Sequence, residues 1–493
     1  MAFSNPRFLL FLGLLLVLLQ VLPGNTTKKR GLALASCLFY ATWDWRYLGL
    51  LLLVSVIDYV ASWRIYESSS PRLRRLWLWT SLGSNLGILA YFKYANFFLE
   101  NTSGFFGMFG AQVPALNVLL PVGISFYTFK TMSYTVDVYR GELKPCASWL
   151  DYATFVTFFP ELIAGPIVRA SIFLPQLSRR IGPSVSRFAE GGSLFVLGLV
   201  KKLLIADQMA VVADAVFASP GTYSSPTVWC GLLAYGFQIY CDFSGYSDMA
   251  IGTAKMIGYD LPENFNMPYL ATSISDFWRR WHMTLSHWLR DYLYVPLGGN
   301  RAGRLNTYRN LILTMLLGGL WHGASWNFVL WGGVHGLGLA AHKLWKEYTQ
   351  GKKLIPDWAG LGLTFAFVTL AWVPFRSASW ASTGVIFGKL LFIGKTDGVV
   401  WYPVWLGACL ILIVLGHLIG SRLAGRRGGE VEEEGLGGAF GILGCALVGN
   451  ATSGPWIGMK RVTVGGFFAL SLIILLIFLF APMNSNPFIY FQF

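Results

Sequence analysis

Apolar residues in this chain come in long runs, separated by short clusters of Lys, Arg, Gly and Pro. A helix that crosses a bilayer needs about 20 mainly apolar residues. The pattern predicts spanning helices over 8–23, 31–45, 47–62, 76–98, 119–139, 190–218, 227–254, 308–327, 328–343, 356–376, 400–420 and 463–481. The segment 151–169 is equally apolar but holds Pro160, Glu161 and Pro166. It is expected to be a re-entrant or half-membrane element, because irregular backbone at that depth needs a cover of protein. The stretch 308–343 as one helix would run roughly 54 Å at 1.5 Å per residue, against a hydrocarbon core of about 30 Å. Glycines at 318, 319, 323, 332, 333 and 336 offer break points, so two shortened spans are expected there.

Composition agrees with a membrane protein: 55% of the 493 residues are hydrophobic, 13% are charged, and the mean hydropathy is +0.53. A soluble domain carries about 25% charged residues. The net charge of +14 sits in short loops, and the positive-inside bias explains it without nucleic acid. Basic loops at 26–30, 72–75, 178–187, 255–309, 343–353 and 421–427 are assigned to the cytoplasm. With twelve crossings, both termini then lie on the extracytoplasmic side. The apolar N-terminus precedes its basic cluster instead of following one, so it reads as a retained first helix and not a cleaved signal. The chain is expected to be one integral-membrane domain over 1–493, with a cytoplasmic-side amphipathic region at 255–309 and a variable cytoplasmic loop at 421–462. The acidic "EVEEE" run at 430–434 in that loop is read as a solvated face. Six scattered cysteines form no CxxC or Cys/His cluster, so no metal is expected.

The charged region contains "SISDFWRRWHMTLSHWLRDYLYVPLGGNR" at 273–301. On a helical wheel with Ile274 at zero, Phe277, Trp278, Trp281, Leu285, Trp288, Leu289 and Tyr292 fall within roughly 60° of it. Asp276, Arg279, His287 and Arg290 fall opposite. The expected element is one amphipathic helix, capped by Ser273 or Ser275 and ended at "VPLGG". His282 falls at about 80°, on the edge of the aromatic stripe. Two readings fit: a helix lying on anionic lipid, or a wall of a membrane-embedded site with arginines turned toward an anionic ligand.

His322 lies in "LLGGLWHGASWNFVLWGGVHG" (316–336), whose nearest formal charges are Arg309 and Lys343. An ionisable group at such a place is a functional candidate by default. Burial lowers an imidazole's pKa from about 6.5 and keeps it neutral and able to accept a proton. Trp321, Trp326, Gly323 and Asn327 are placed to line its cavity. The chain has no GxSxG elbow, so a covalent acyl-serine step is not suggested. His335, thirteen residues on, is expected to pack between helices and point elsewhere. A proton-transfer site, a transporter and a channel all fit these residues.

Several stretches resemble the membrane-bound O-acyltransferase (MBOAT) family, in its polysaccharide-acetylating, alginate-type branch. They are "LPVGISFYTFKTMSYTVDVYRGEL" (120–143), "FFPELIAGPIVR" (158–169), "YCDFSGYSDMAIG" (240–252), "LPENFNMPYLATSISDFWRRW" (261–281), "GGLWHGASWNFVLWGGVHG" (318–336), "AWVPFR" (371–376) and "PFIYFQF" (487–493). The resemblance implies an all-α polytopic fold, a ring of about eleven or twelve membrane helices with re-entrant and interfacial helices around a central tunnel. It implies O-acyl transfer with His322 and His282 as the catalytic histidines. It further implies a cytoplasmic donor, acetyl-CoA as substrate and not a bound cofactor; on electrostatic grounds we expect Arg279, Arg280 and Arg290 to meet its phosphates. An extracytoplasmic acyltransferase partner would complete acetylation of an exported polysaccharide, and the chain would sit in a bacterial inner membrane. D-alanyl transfer to teichoic acid, a transporter of an acylated intermediate, and a scaffold of a secretion complex are the competing readings.

Overall fold

Asn5 caps the first helix, its side chain accepting from the Arg7 amide at 2.9 Å, and Pro6 occupies the first turn, where no amide is needed. The computed structural model describes residues 2–108, 116, 118–179, 182–301, 303–425 and 488–489. Its contacts divide into two units. One holds Met1–Phe188 with Thr253–Leu261 and Gly323–Ser325; the other holds Ala189–Gly252, Pro262–His322 and Trp326–Phe493.

The first unit contains α1 (Pro6–Val21), α2 (Asn25–Ala41), α3 (Trp45–Glu67), α4 (Pro71–Leu89), α5 (Ala95–Gly107), α6 (Ile124–Arg140), α7 (Trp149–Thr157), α8 (Phe159–Leu162) and α9 (Ala170–Leu177). A π-helical turn, Ala90–Tyr94, separates α4 from α5. The basic cluster expected as a loop at 26–30 forms the first turns of α2 instead. Lys29 there is neutralised by Asp151 at 2.7 Å, which relieves positive charge at the positive end of the helix dipole. The segment expected to be irregular does break, with α7 and α8 meeting at Phe158. The break is buried: Glu161 pairs with Lys130 of α6, and Lys130 also donates to the Phe155 carbonyl. Gly123 begins α6 at φ 76°, where an added Cβ would overlap the Leu162 carbonyl oxygen. A buried carboxylate, Asp58 of α3, accepts from Ser81 at 2.5 Å and from Asn85 at 2.9 Å.

α10 (Val185–Leu199) leads into the second unit, which continues with α11 (Asp207–Ala218), α12 (Ser225–Ile257), α13 (Ile274–Arg280), α14 (Met283–Leu289), α15 (Arg304–His322), α16 (Trp326–Tyr348), α17 (Asp357–Arg376), α18 (Trp380–Leu390) and α19 (Val404–Gly425). Here glycines set the spacing. Gly191 and Gly198 of α10 lie seven residues apart, as do Gly245 and Gly252 of α12. A Cβ on Gly252 would overlap the Gly191 carbonyl, and one on Gly198 the Gly245 carbonyl. α15 and α16 approach as closely: Gly319 abuts the Phe328 carbonyl and Gly332 the Met315 carbonyl. Small residues on facing surfaces let membrane helices pack backbone to backbone.

Helices occupy every expected span that falls on described residues. Residues 463–481 and the loop beyond Gly425 lie outside them. Among the described residues, α3 and α17 are the two helices long and apolar enough by themselves to cross a membrane; α1 and Val404–Ile419 are shorter apolar helices. The expected 190–218 span is interrupted by a π-turn, Val200–Ala206. The break in 308–343 comes at Gly323–Ser325, a few residues before the expected one. Leu10, Leu14, Val17 and Val21 of α1, and Ile411, Leu412, Val414 and Leu415 of α19, are exposed. A water-soluble protein rarely exposes so much apolar surface, whereas lipid accepts it.

Candidate active site

The sequence pattern favours one helix through 274–292; the structure instead breaks it at Trp281–His282. Ser273 caps α13 by accepting from the Asp276 amide at 3.2 Å, as expected. Trp281 then turns extended, and His282 takes the left-handed conformation, φ 42°, ψ 53°, before α14 begins. That conformation costs a non-glycine residue roughly 1–2 kcal/mol. Asn264 holds it. The Asn264 Oδ1 accepts from the Thr284 hydroxyl at 2.9 Å and the Thr284 amide at 3.3 Å, and lies 3.1 Å from His282 Nδ1. The Asn264 carbonyl accepts from the Met283 amide at 3.0 Å. An oxygen that accepts from both Thr284 groups takes its third bond from a donor, so His282 Nδ1 carries the proton. The lone pair then lies on Nε2. His282 is fully buried, not at the edge of a surface stripe. Burial lowers its pKa well below the usual histidine value, so the ring is neutral at physiological pH.

His322 ends α15 and is 5% exposed. Its ring stands against three others: Trp321 at 4.9 Å, Trp331 at 5.1 Å and Phe375 at 5.3 Å between centroids. The Trp321 ring is also 6.2 Å from His282, which has Phe243 edge-on at 4.7 Å. The two histidines, forty residues apart in the chain, therefore flank one indole. Asn327 is buried at the start of α16 and donates to the Ser377 carbonyl at 2.9 Å, which ties α16 to the end of α17. Gly323 opens the three-residue break after His322. Trp326 is 50% exposed and stands outside this buried wall. Arg279, Arg280 and Arg290 are also outside it. Arg280 pairs with Asp276 at 3.0 Å, Arg290 with Asp291 at 2.6 Å, and Arg279 donates to the Ser275 carbonyl at 3.3 Å. Two of the three guanidinium charges are thus met by a neighbouring carboxylate. No group of three or more His, Cys, Asp or Glu capable of holding a metal occurs among the described residues.

Two features were not singled out from sequence. One is Asn264, whose side-chain contacts are seventeen or more residues away. The other is a buried charge cluster: Lys202 lies 2.9 Å from both Asp207 and Asp242, and Asp242 also accepts from the Ile489 amide at 2.9 Å. The Phe488 ring lies 4.5 Å from Tyr246, tilted by 34°, and 5.8 Å edge-on from Phe243, the ring that touches His282.

Comparison with known proteins decides the family. The profile of the membrane-bound O-acyltransferase family, MBOAT, matches residues 145–379. A probable alginate O-acetylase of Pseudomonas putida is 44% identical over 403 residues, covering 80% of this chain and 81% of that one. The chain belongs to the membrane-bound O-acyltransferase family. It is an O-acyltransferase and an integral membrane protein. A peptidoglycan O-acetyltransferase of Helicobacter pylori is 41% identical over 381 residues, 72% of each chain. A teichoic acid D-alanyltransferase of Bacillus subtilis is more distant, 28% identical over 275 residues, 52% of this chain and 68% of that one. In this O-acyltransferase the matched span 145–379 includes both histidines and all three helices, α15 to α17, that wall His322.

Proposed function

We propose that this O-acyltransferase moves acetyl groups from cytoplasmic acetyl-CoA across the inner membrane for O-acetylation of an exported polysaccharide. The observation that carries the reading is the convergence of His322 and His282 on Trp321 inside a buried aromatic wall. A neutral imidazole there takes the proton of a hydroxyl as that oxygen attacks the thioester carbonyl, then returns it to the departing thiolate. We assign that role to His322, at the end of α15 beside the glycine break. His282, its tautomer set by Asn264, presents Nε2 from the other side of the indole and orients the acceptor. The ring of helices and the tunnel linking the two membrane faces are part of the same reading, as is an extracytoplasmic partner that completes transfer to the polymer. Relatives named for alginate and peptidoglycan acetylation match more of the chain, at higher identity, than those named for teichoic acid D-alanylation. That ranking favours acetyl over D-alanyl transfer.

The test is the O-acetyl content of exported polysaccharide in a deletion strain carrying the wild-type gene or His322→Ala, with membrane levels matched by blot. Acetate restored by the wild type and lost in the variant supports the reading. Equal acetate in the two strains removes His322 from the chemistry and brings the transporter reading forward.

A further inference from the structure

His335 sits one turn after Trp331 and two turns after Asn327, so the three share one face of α16. All three are buried, His335 completely. The Trp278 indole donates to His335 Nδ1 at 3.3 Å. A ring nitrogen that accepts has no proton, so the neutral ring carries its hydrogen on Nε2. That Nε2–H finds no acceptor among the described residues, and neither does the Trp331 indole N–H. Trp331 lies between the two histidines: its ring is 4.8 Å from His335 and 5.1 Å from His322, perpendicular to the latter at 88°. Three further rings stand against His335, those of Trp278, Phe277 and Phe367, which offer no lone pair in their planes.

A buried donor without an acceptor costs about 1–3 kcal/mol. Two on one helix face, one of them on the ring that stands against the proposed base, are a costly arrangement for packing alone. They are what a developing oxyanion requires. We propose that the Trp331 and His335 N–H groups form the oxyanion site of this acyltransferase, taking the acyl carbonyl oxygen as it becomes negative. The acceptor oxygen bonds to the carbonyl carbon while His322 removes the hydroxyl proton. The carbonyl π pair moves onto oxygen, where the two N–H groups donate to it. The pair then returns, the carbon–sulfur bond breaks, and the thiolate leaves with the proton from His322. Donors aimed at the charge that appears in the transition state act on the rate. Trp278 is a positioning residue that fixes which nitrogen of His335 donates.

The inference rests on the proposed acyl transfer from a thioester to a hydroxyl with His322 as base. Its test is the initial rate of polysaccharide acetylation in the deletion strain, per unit of full-length protein in the membrane. Trp331→Phe keeps a ring and removes the N–H; His335→Phe does the same; His335→Gln keeps an N–H near the Nε2 position. Losing one oxyanion donor lowers turnover by on the order of 10²-fold in other acyl-transfer enzymes. The expectation is a loss of that order for both Phe variants, recovery of much of the rate in His335→Gln, and unchanged membrane levels and thermal midpoints. Wild-type rates in both Phe variants overturn the inference and leave the polysaccharide reading intact. Equal losses in His335→Gln and His335→Phe, with lowered midpoints, also overturn it, because packing would then be what His335 supplies. If the wild-type gene adds no acetate over an empty vector, the polysaccharide reading falls first and this inference with it.

Discussion

Asn264→Ala tests whether one amide holds the His282 end of the site. The Asn264 Oδ1 receives the His282 Nδ1–H, the Thr284 amide and the Thr284 hydroxyl, at 3.1, 3.3 and 2.9 Å. The hydroxyl can rotate to another acceptor, but the other two donors are fixed. Each costs about 1–3 kcal/mol when buried without a partner, so the substitution destabilises the segment by roughly 2–6 kcal/mol. The strain of left-handed His282, about 1–2 kcal/mol, is present in the wild type as well and is recovered if the freed segment relaxes. The cheapest relaxation is for residues 281–283 to become helical, which joins α13 to α14 and swings the imidazole away from Trp321. Asn264→Asp keeps the acceptor oxygens for all three donors, loses the 3.3 Å bond from Nδ2 to Ser247 and adds the desolvation cost of a buried carboxylate, so it is expected to hold the His282 conformation better than the alanine variant. The assay is the thermal midpoint of detergent-solubilised protein by fluorescence-detected size exclusion, alongside polysaccharide acetate in cells. An alanine variant with the wild-type midpoint and full acetylation refutes the dependence of His282 on Asn264.

Gly332→Val drives a Cβ into the Met315 carbonyl and forces α15 and α16 apart, so it abolishes acetylation, while Gly362→Ala on α17, with open space at its Cβ, leaves acetylation unchanged in the same assay. Lys202→Met removes the cation between Asp207 and Asp242; breaking a buried pair this way costs about 3–5 kcal/mol, so the variant is depleted from the membrane on a blot. Lys202→Met combined with Asp242→Asn is expected to recover part of that level. Arg279→Ala and Arg290→Ala, both exposed, keep normal protein levels and raise the KM for acetyl-CoA if donor phosphates pass this face, and that increase disappears at high salt.

His322 stood out as a candidate because an imidazole in an uncharged apolar run has no cheap structural role. The geometry around it was not, and the reason is specific. Hydrophobic periodicity assigns faces within one helix; it carries no information about the rotation between helices on either side of a break. On a wheel drawn continuously through 308–343, His335 turns away from His322. The break at Gly323–Ser325 resets that phase, and the structure brings both His322 and His335 against Trp331. His282 fails by the same logic. Its place on the stripe's edge assumes a helix that Asn264 interrupts from eighteen residues upstream. The glycines were read as break points, and one of them is. Gly319, Gly332 and Gly336 instead lie inside continuous helices, where they bring α15 and α16 into backbone contact. That contact fixes the separation of His322 from the Asn327, Trp331 and His335 face of α16. A wider spacing would leave every motif residue in place and still move His322 away from the Trp331 and His335 side chains, so the geometry of the proposed site depends on residues that have no side chain.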